Sequence, residues 1–190
     1  NGTTACDFTN SGLKTNLKSL IDDTLWNTGT NGTNEYNSAS NGLASHFYSY
    51  ERSSNKGKIC KSGNYCTDTV TRTLTWIGKV GLMYPSDYGY ATSGGTSMNR
   101  ASCLAKELYN WVGASDCYNN DWLYNSNNQW TISPRAHSVV AMSVFIFESG
   151  GTINNSHAKF AQSARPSVYL KSDVSILGGE GTLENPYTIG

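Results

Sequence analysis

Apolar residues first recur at a helical period. Leu13, Leu17, Leu20, Ile21 and Leu25 share one stripe while Lys14 and Lys18 turn outward, which predicts a helix over about 12–25. Ser11 is placed to cap it, and Gly29 lies beyond its end. Residues 27–42 are rich in Asn, Thr and Gly and predict loop. Phe47, Tyr48 and Tyr50 form a short aromatic segment, read as a strand or an anchor, and 53–69 is a polar excursion. The β-type run 70–84 predicts a strand broken at Gly78 and Gly81, and the Ser/Gly/Tyr stretch 85–98 predicts loop. A second helix is expected over about 99–111. Its apolar face is Ala101, Leu104, Ala105, Leu108 and Trp111, with Asn99 or Ser97 as cap and Gly113 as stop.

The segment 119–128 reads as loop, with Trp122, Leu123 and Tyr124 packing inward. After it the period changes to that of strands. A polar turn at Ser133-Pro134 leads into the apolar run 139–147, and Gly150-Gly151 supplies a turn because glycine takes positive φ without steric cost. A short strand at Thr152 and Ile153, a loop over 154–164 and a strand over 167–170 follow. The run Gly178-Gly179-Glu180-Gly181 is a turn before a last strand over 186–189. Two early helices followed by a loop-rich antiparallel sheet make an α+β fold. With no repeat and no linker, residues 1–190 are expected to form a single domain.

Composition narrows the class. Formal net charge is +0 and charged residues are 15 %, well below the roughly 25 % usual for globular chains, which argues against nucleic acid as the main partner, since phosphate binding needs a basic face. No apolar run is long enough to span a bilayer. The chain opens at Asn1 and is expected to be a mature form or a piece of a longer precursor. Cys60 and Cys66 flank a Gly63-Asn64 turn, and Cys103 and Cys117 bracket the second helix and the loop after it. Both pairs are expected as disulfides, which implies an oxidising compartment; Cys6 is left over.

No catalytic constellation appears. The sequence has no G-x-S-x-G elbow; His46, His137 and His157 are scattered; Asp22 and Asp23 are adjacent and do not face each other. The glycines at 178–181 lack the helix that a phosphate loop needs. Neither an enzyme activity nor a cofactor is expected.

The pattern Trp130-x-x-Ser133-Pro134, Val144-Phe145, Gly150-Gly151 and Arg165-Pro166-x-Val168-x-Leu170 resembles the C-terminal part of bacterial C-type-lectin-like domains. These include variable proteins diversified by diversity-generating retroelements and, more distantly, the formylglycine-generating-enzyme-like fold. The runs WIGKVGLMYPSDYGYATSGG (76–95), NNDWLY (119–124) and LKSDVSILGGEGTLENPYTI (170–189) resemble secreted or pilin-like surface proteins of gut Firmicutes. The resemblance implies two helices flanking a small twisted antiparallel sheet, with long loops carrying a binding surface. Calcium lectins of this fold use Trp-Asn-Asp motifs, and Asn119-Asn120-Asp121-Trp122 is superficially similar. A calcium site needs more acidic groups close by, Glu148 being a candidate, so an Asn-rich loop with Trp122 in the core is the preferred reading and no metal is expected. Formylglycine-generating relatives use reactive cysteines, and nothing here aligns with such a pair.

In the family's pattern Val144 and Phe147 face the core, so Met142, Ile146 and Glu148 turn outward, while Ile153, Val168 and Leu170 also have the period of core. The expected binding face is therefore Arg135, His137, Val139, Val140, Met142, Ile146, Glu148, Asn154, Asn155, His157, Lys159, Phe160 and Gln162. The two Pro-containing ends fix this segment, and the Gly-Gly turn folds its halves together. Tyr88, Tyr90, Tyr118 and Tyr124 are further candidates, since loops rich in Tyr, Asn, Ser and Gly suit adaptable binding, with ordinary packing expected for half of them. The expected role is an extracellular or cell-surface module that binds a protein or glycan on another cell or surface. A pilin-like subunit that self-assembles into a filament is the alternative, and an enzyme of the formylglycine-generating type a third.

Overall fold

The computed structural model describes residues 13–27, 42–52, 75–134, 143–182 and 184–190. Expectations for Ser11, Gly29, the polar excursion, and the Cys60 and Cys66 pair lie outside these. The elements are α1 (Thr15–Leu20), β1 (Thr24–Asn27), α2 (Ala44–Arg52), β2 (Thr75–Gly78), β3 (Val80–Leu82), α3 (Pro85–Ala91), α4 (Arg100–Leu104), a 3-10 turn (Leu108–Gly113), α5 (Ser115–Asn119), β4 (Gln129–Pro134), β5 (Ser143–Phe147), β6 (Ile153–His157), β7 (Pro166–Val168), β8 (Ile176–Gly178) and β9 (Thr188–Ile189). The protein is α+β, with small sheets ordered β1-β2, β3-β7, β4-β5-β6 and β8-β9. No helix among the described residues is long and apolar enough to cross a membrane.

Contacts divide the chain into two compact units. The first comprises Asn1–Leu25, Ile77–Gly81 and Ser167–Gly190; the second comprises Trp26–Trp76 and Leu82–Pro166. In the first, α1 stops at Leu20, five residues short of the expected end, because the chain turns extended to pair with the segment around Leu170. Asp22 N–H donates to Tyr169 C=O at 2.9 Å, and Lys171 N–H donates to Leu20 C=O at 2.9 Å. These bonds satisfy backbone groups that a longer helix would have used internally. Ile21 is buried there, but Val168 and Leu170, expected as core, are exposed. Gly179 follows β8 at φ 89°, where a Cβ would meet the Pro186 carbonyl at 2.2 Å, so this turn requires glycine.

The second unit holds the hydrophobic core, which includes Phe47, Met83, Tyr88, Leu108, Trp111, Phe145, Phe147 and Ile153. The aromatic segment at 47–50 lies in α2 rather than in a strand, and Phe47 is an anchor: Ala44, Phe47 and Glu51 are all buried at helical spacing. Residues 85–91, expected as loop, form α3. Pro85 suits the first helical position, and the Asp87 carboxylate accepts from Tyr84 N–H at 2.9 Å, closing the helix start. The buried Glu51 carboxylate accepts from Ser86 N–H at 3.1 Å and from the Ser86 hydroxyl. A Cβ on Gly89 would lie 2.5 Å from Ala44 Cβ, so glycine lets α3 approach α2.

The second expected helix is two pieces. Asn99 caps α4 by accepting from Ser102 N–H at 2.9 Å, and the chain re-forms as a 3-10 turn that buries Leu108 and Trp111. Ala101 and Ala105 are exposed, because the break turns the first piece away from the stripe. Cys103 and Cys117 are joined as expected, with Cα atoms 5.5 Å apart and both residues buried.

Candidate functional site

The β4-β5-β6 sheet carries the segment expected to bind. Phe147 opposes Gln129 on one side and Ile153 on the other, and Ile146 opposes Trp130 and Asn154. Because side chains alternate across a pleat, Phe145 and Phe147 share the core face, whereas Val144, Ile146 and Glu148 share the opposite one. Val144 and Phe147 are three residues apart, so they cannot both face the core, and Val144 is half-buried on the outer side. Ile146 stands on the outer side as expected but is only 3 % exposed, so it is packed and not displayed. On β4 the polar residues Gln129, Thr131 and Ser133 point inward, and the Thr131 hydroxyl donates to Phe145 C=O at 2.9 Å.

The β5–β6 turn is held from several sides. Gly151 has φ 76°, and a Cβ there would sit 2.3 Å from the Tyr118 ring. The Tyr88 phenol donates to Gly151 C=O at 3.1 Å, the Tyr124 phenol donates to Ser149 C=O at 2.7 Å, and Ser149 N–H donates to Asn128 Oδ1 at 3.0 Å. Tyr88 is buried and stacks on Phe147 with centroids 3.8 Å apart, so of the four candidate tyrosines it belongs to the core. Tyr118 and Tyr124 are half-buried and pack on each other at 5.2 Å, and Tyr90 is exposed.

Two groups of expected residues are brought together. The Asn154 carboxamide donates to Glu148 Oε1 at 2.8 Å, and the Asn155 carboxamide donates to Asn154 Oδ1 at 3.1 Å. Beyond them, β6 runs on to His157, although 154–157 was expected as loop. His157 meets the Phe160 ring edge-on at 5.7 Å, and Lys159 Nζ lies 5.3 Å from the centre of that ring. Phe160 is 52 % exposed. Gln162 Nε2 donates to Ser156 Oγ at 3.4 Å. Arg135, His137, Val139, Val140 and Met142 lie outside the described residues.

The sequence reading missed two features. One is an open groove of about 470 Å³ lined by Ser126, Asn127, Asn128, Ser149, Ala161, Gln162 and Ser163. The signal was the Asn-rich run 125–128, read simply as loop. The other is Trp122, expected in the core but 75 % exposed. It occupies a tight turn in which Tyr124 N–H donates to Asp121 C=O at 3.0 Å and Leu123 N–H donates to the Asp121 carboxylate at 2.8 Å. The turn buries Asp121 and Leu123 and projects the residue between them. Burial pushes the Asp121 carboxyl up to about 7, against the opposing pull of the Leu123 N–H and Arg165, and leaves its Oδ2 without a hydrogen bond. Among the described residues, no three of His, Cys, Asp and Glu gather in an arrangement that would hold a metal ion.

The class that these elements define is a disulfide-bonded α+β protein with a polar, loop-framed surface. No protein-family model matches the chain, nor do curated proteins or solved structures.

Proposed function

We propose that the chain is an extracellular ligand-binding or adhesion module that displays a chemically mixed surface on a C-type-lectin-like scaffold. The observation that carries this reading is the contrast at the β5–β6 hairpin. Its turn is fixed by Tyr88, Tyr124 and Asn128, while at the other end of β6, where His157 pairs with Ser143, the side chains of His157, Lys159 and Phe160 have no part in the buried core. A rigid frame that holds up an imidazole, an ammonium and an exposed ring spends little binding energy on ordering. The Cys103–Cys117 disulfide fits an oxidising compartment. The partner is a protein or glycan on another cell or surface.

The test uses labelled chain on epithelial cells and on immobilised mucin. Replacing His157 and Phe160 together with Ser should move the melting temperature by no more than about 2 °C while binding falls at least tenfold. A large fall in stability, or unchanged binding, overturns the reading. A second reading, a pilin-like subunit, is favoured by the exposed Ile176, Leu177 and Tyr187 of the β8–β9 ribbon. Regular filaments in electron microscopy support it; a monomer that remains dispersed at high concentration counts against it.

A further inference from the structure

From the chemistry of its lining, we infer that the groove between 126–128, Ser149 and 161–163 takes an uncharged, polyhydroxylated ligand, a neutral saccharide. The inference rests on the ligand-binding reading and names the ligand class for one part of that surface.

Three observations carry it. First, the lining contains three serines, two asparagines, one glutamine and one alanine, and no titratable group. A carboxylate or phosphate brought here would lose water without gaining a counter-charge, and an apolar ligand would meet a lining more polar than apolar, in which Ala161 is the one wholly apolar side chain. Second, the walls are already built. Asn128 Oδ1 accepts from Ser149 N–H at 3.0 Å, Asn128 C=O accepts from Ser163 N–H at 2.9 Å, and Ser163 C=O accepts from Trp130 N–H at 2.9 Å. These backbone groups are spent on the fold, so no row of open N–H and C=O groups is offered to an added peptide strand. Third, the side chains are the available groups. The hydroxyls of Ser126, Ser149 and Ser163 and the carboxamide of Asn127 have no hydrogen-bond partner among the described residues, and the Gln162 carboxamide has one long bond of 3.4 Å.

A carboxamide presents a donor and an acceptor side by side, and a hydroxyl is both at once. Adjacent ring hydroxyls of a sugar make the same paired offer, so each can donate to one neighbour and accept from the next. The volume, about 470 Å³, falls within the roughly 300–1,000 Å³ usual for small-ligand sites. The Asx turn in which Asn127 N–H donates to Asn125 Oδ1 at 2.9 Å fixes the backbone behind Asn127, so little ordering is left for binding to impose.

Saturation-transfer difference NMR on the full chain, with a panel of neutral mono- and disaccharides, tests this. Sialic acid, glucuronic acid and tetra-alanine serve as charged and peptide comparators. At least one neutral saccharide should give a signal, and titration should show N127A/Q162A binding it at least tenfold more weakly with an unchanged near-ultraviolet circular dichroism spectrum. Silence across the neutral panel overturns the proposal. So does stronger binding of an acidic sugar or of the peptide, or saccharide binding that N127A/Q162A leaves intact. The same titration on H157S/F160S separates the two readings. Saccharide binding retained there, with cell and mucin binding lost, supports both. Cell and mucin binding that depends on His157 and Phe160 in a chain that takes no neutral saccharide leaves the module reading standing and sinks this one.

Discussion

The two compact units bury apolar surface very differently. In the second, side chains from α2, α3, the 3-10 turn, β5 and β6 converge on one aromatic cluster, and Tyr88, Trp111 and Phe147 are in ring contact there. In the first, Ile21 and Val80 are the buried large apolar residues among those described. Ile176 and Leu177 are 64 % and 68 % exposed, and Leu25, Ile77 and Tyr187 also face solvent. The first unit is held largely by backbone pairing, such as the mutual bonds of Ser175 and Gly190 at 2.9 and 3.1 Å, and by Lys79 Nζ on Asp23 at 3.2 Å and on the Ile21 carbonyl at 3.1 Å. Exposed ion pairs of this kind contribute about 0–1 kcal/mol. The lesson is that equal apolar content along a chain does not mean equal packing.

The sharpest way to break this comparison is to cut one large apolar side chain from each unit. Phe147→Ala should cost about 3–5 kcal/mol, because the cavity forms against Tyr88 in a packed core. Leu177→Ala should change stability by less than about 0.5 kcal/mol. Urea unfolding followed by tryptophan fluorescence reads both. Equal losses at the two positions would show that the first unit has a core of its own.

The next effect is electrostatic and belongs to the second unit. Asp121 titrates near 7 in the folded chain against an ordinary value of 3.8, so the folded state holds its proton more tightly. Its contribution is therefore fully present below about pH 4 and is lost as pH rises through 7. Across that window the loss amounts to as much as roughly 4 kcal/mol. Asp121→Asn keeps the acceptor for Leu123 N–H and removes the charge. It should leave stability at pH 4 nearly unchanged and raise it at pH 8. Parallel curves for the two proteins between pH 4 and 8 would mean that Asp121 ionises as freely as an exposed carboxyl.

A somewhat smaller loss is expected from opening the Cys103–Cys117 disulfide, which closes a loop of sequence separation 14. Replacing both cysteines with Ala should lower stability by about 3 kcal/mol, on the entropic view that the bond mainly restricts the unfolded chain. Non-reducing peptide mapping of the wild type checks the bond itself; free thiols at both positions would remove the second unit's covalent brace and the argument for an oxidising compartment.

Much of the outline was legible in residue order alone. The α+β class, the Asn99 cap, the Gly150-Gly151 turn and the Cys103–Cys117 pair follow from spacing and from the backbone freedom of glycine, which act locally. Of the expected face, Glu148, Asn154, Asn155, His157, Lys159, Phe160 and Gln162 are exposed or half-buried, while Ile146 is packed away. What tertiary structure alone decided is which apolar residues are covered. α1 stops at Leu20 because Ile21 finds a strand partner at Leu170, some 150 residues on. α3 forms from a Ser/Gly/Tyr run because Glu51 on another helix closes its start and Gly89 admits Ala44. Trp122 projects because the turn beneath it spends its burial on Asp121 and Leu123. Periodicity reports which face of an element is apolar, but it carries no information about what arrives from elsewhere in the chain to cover that face.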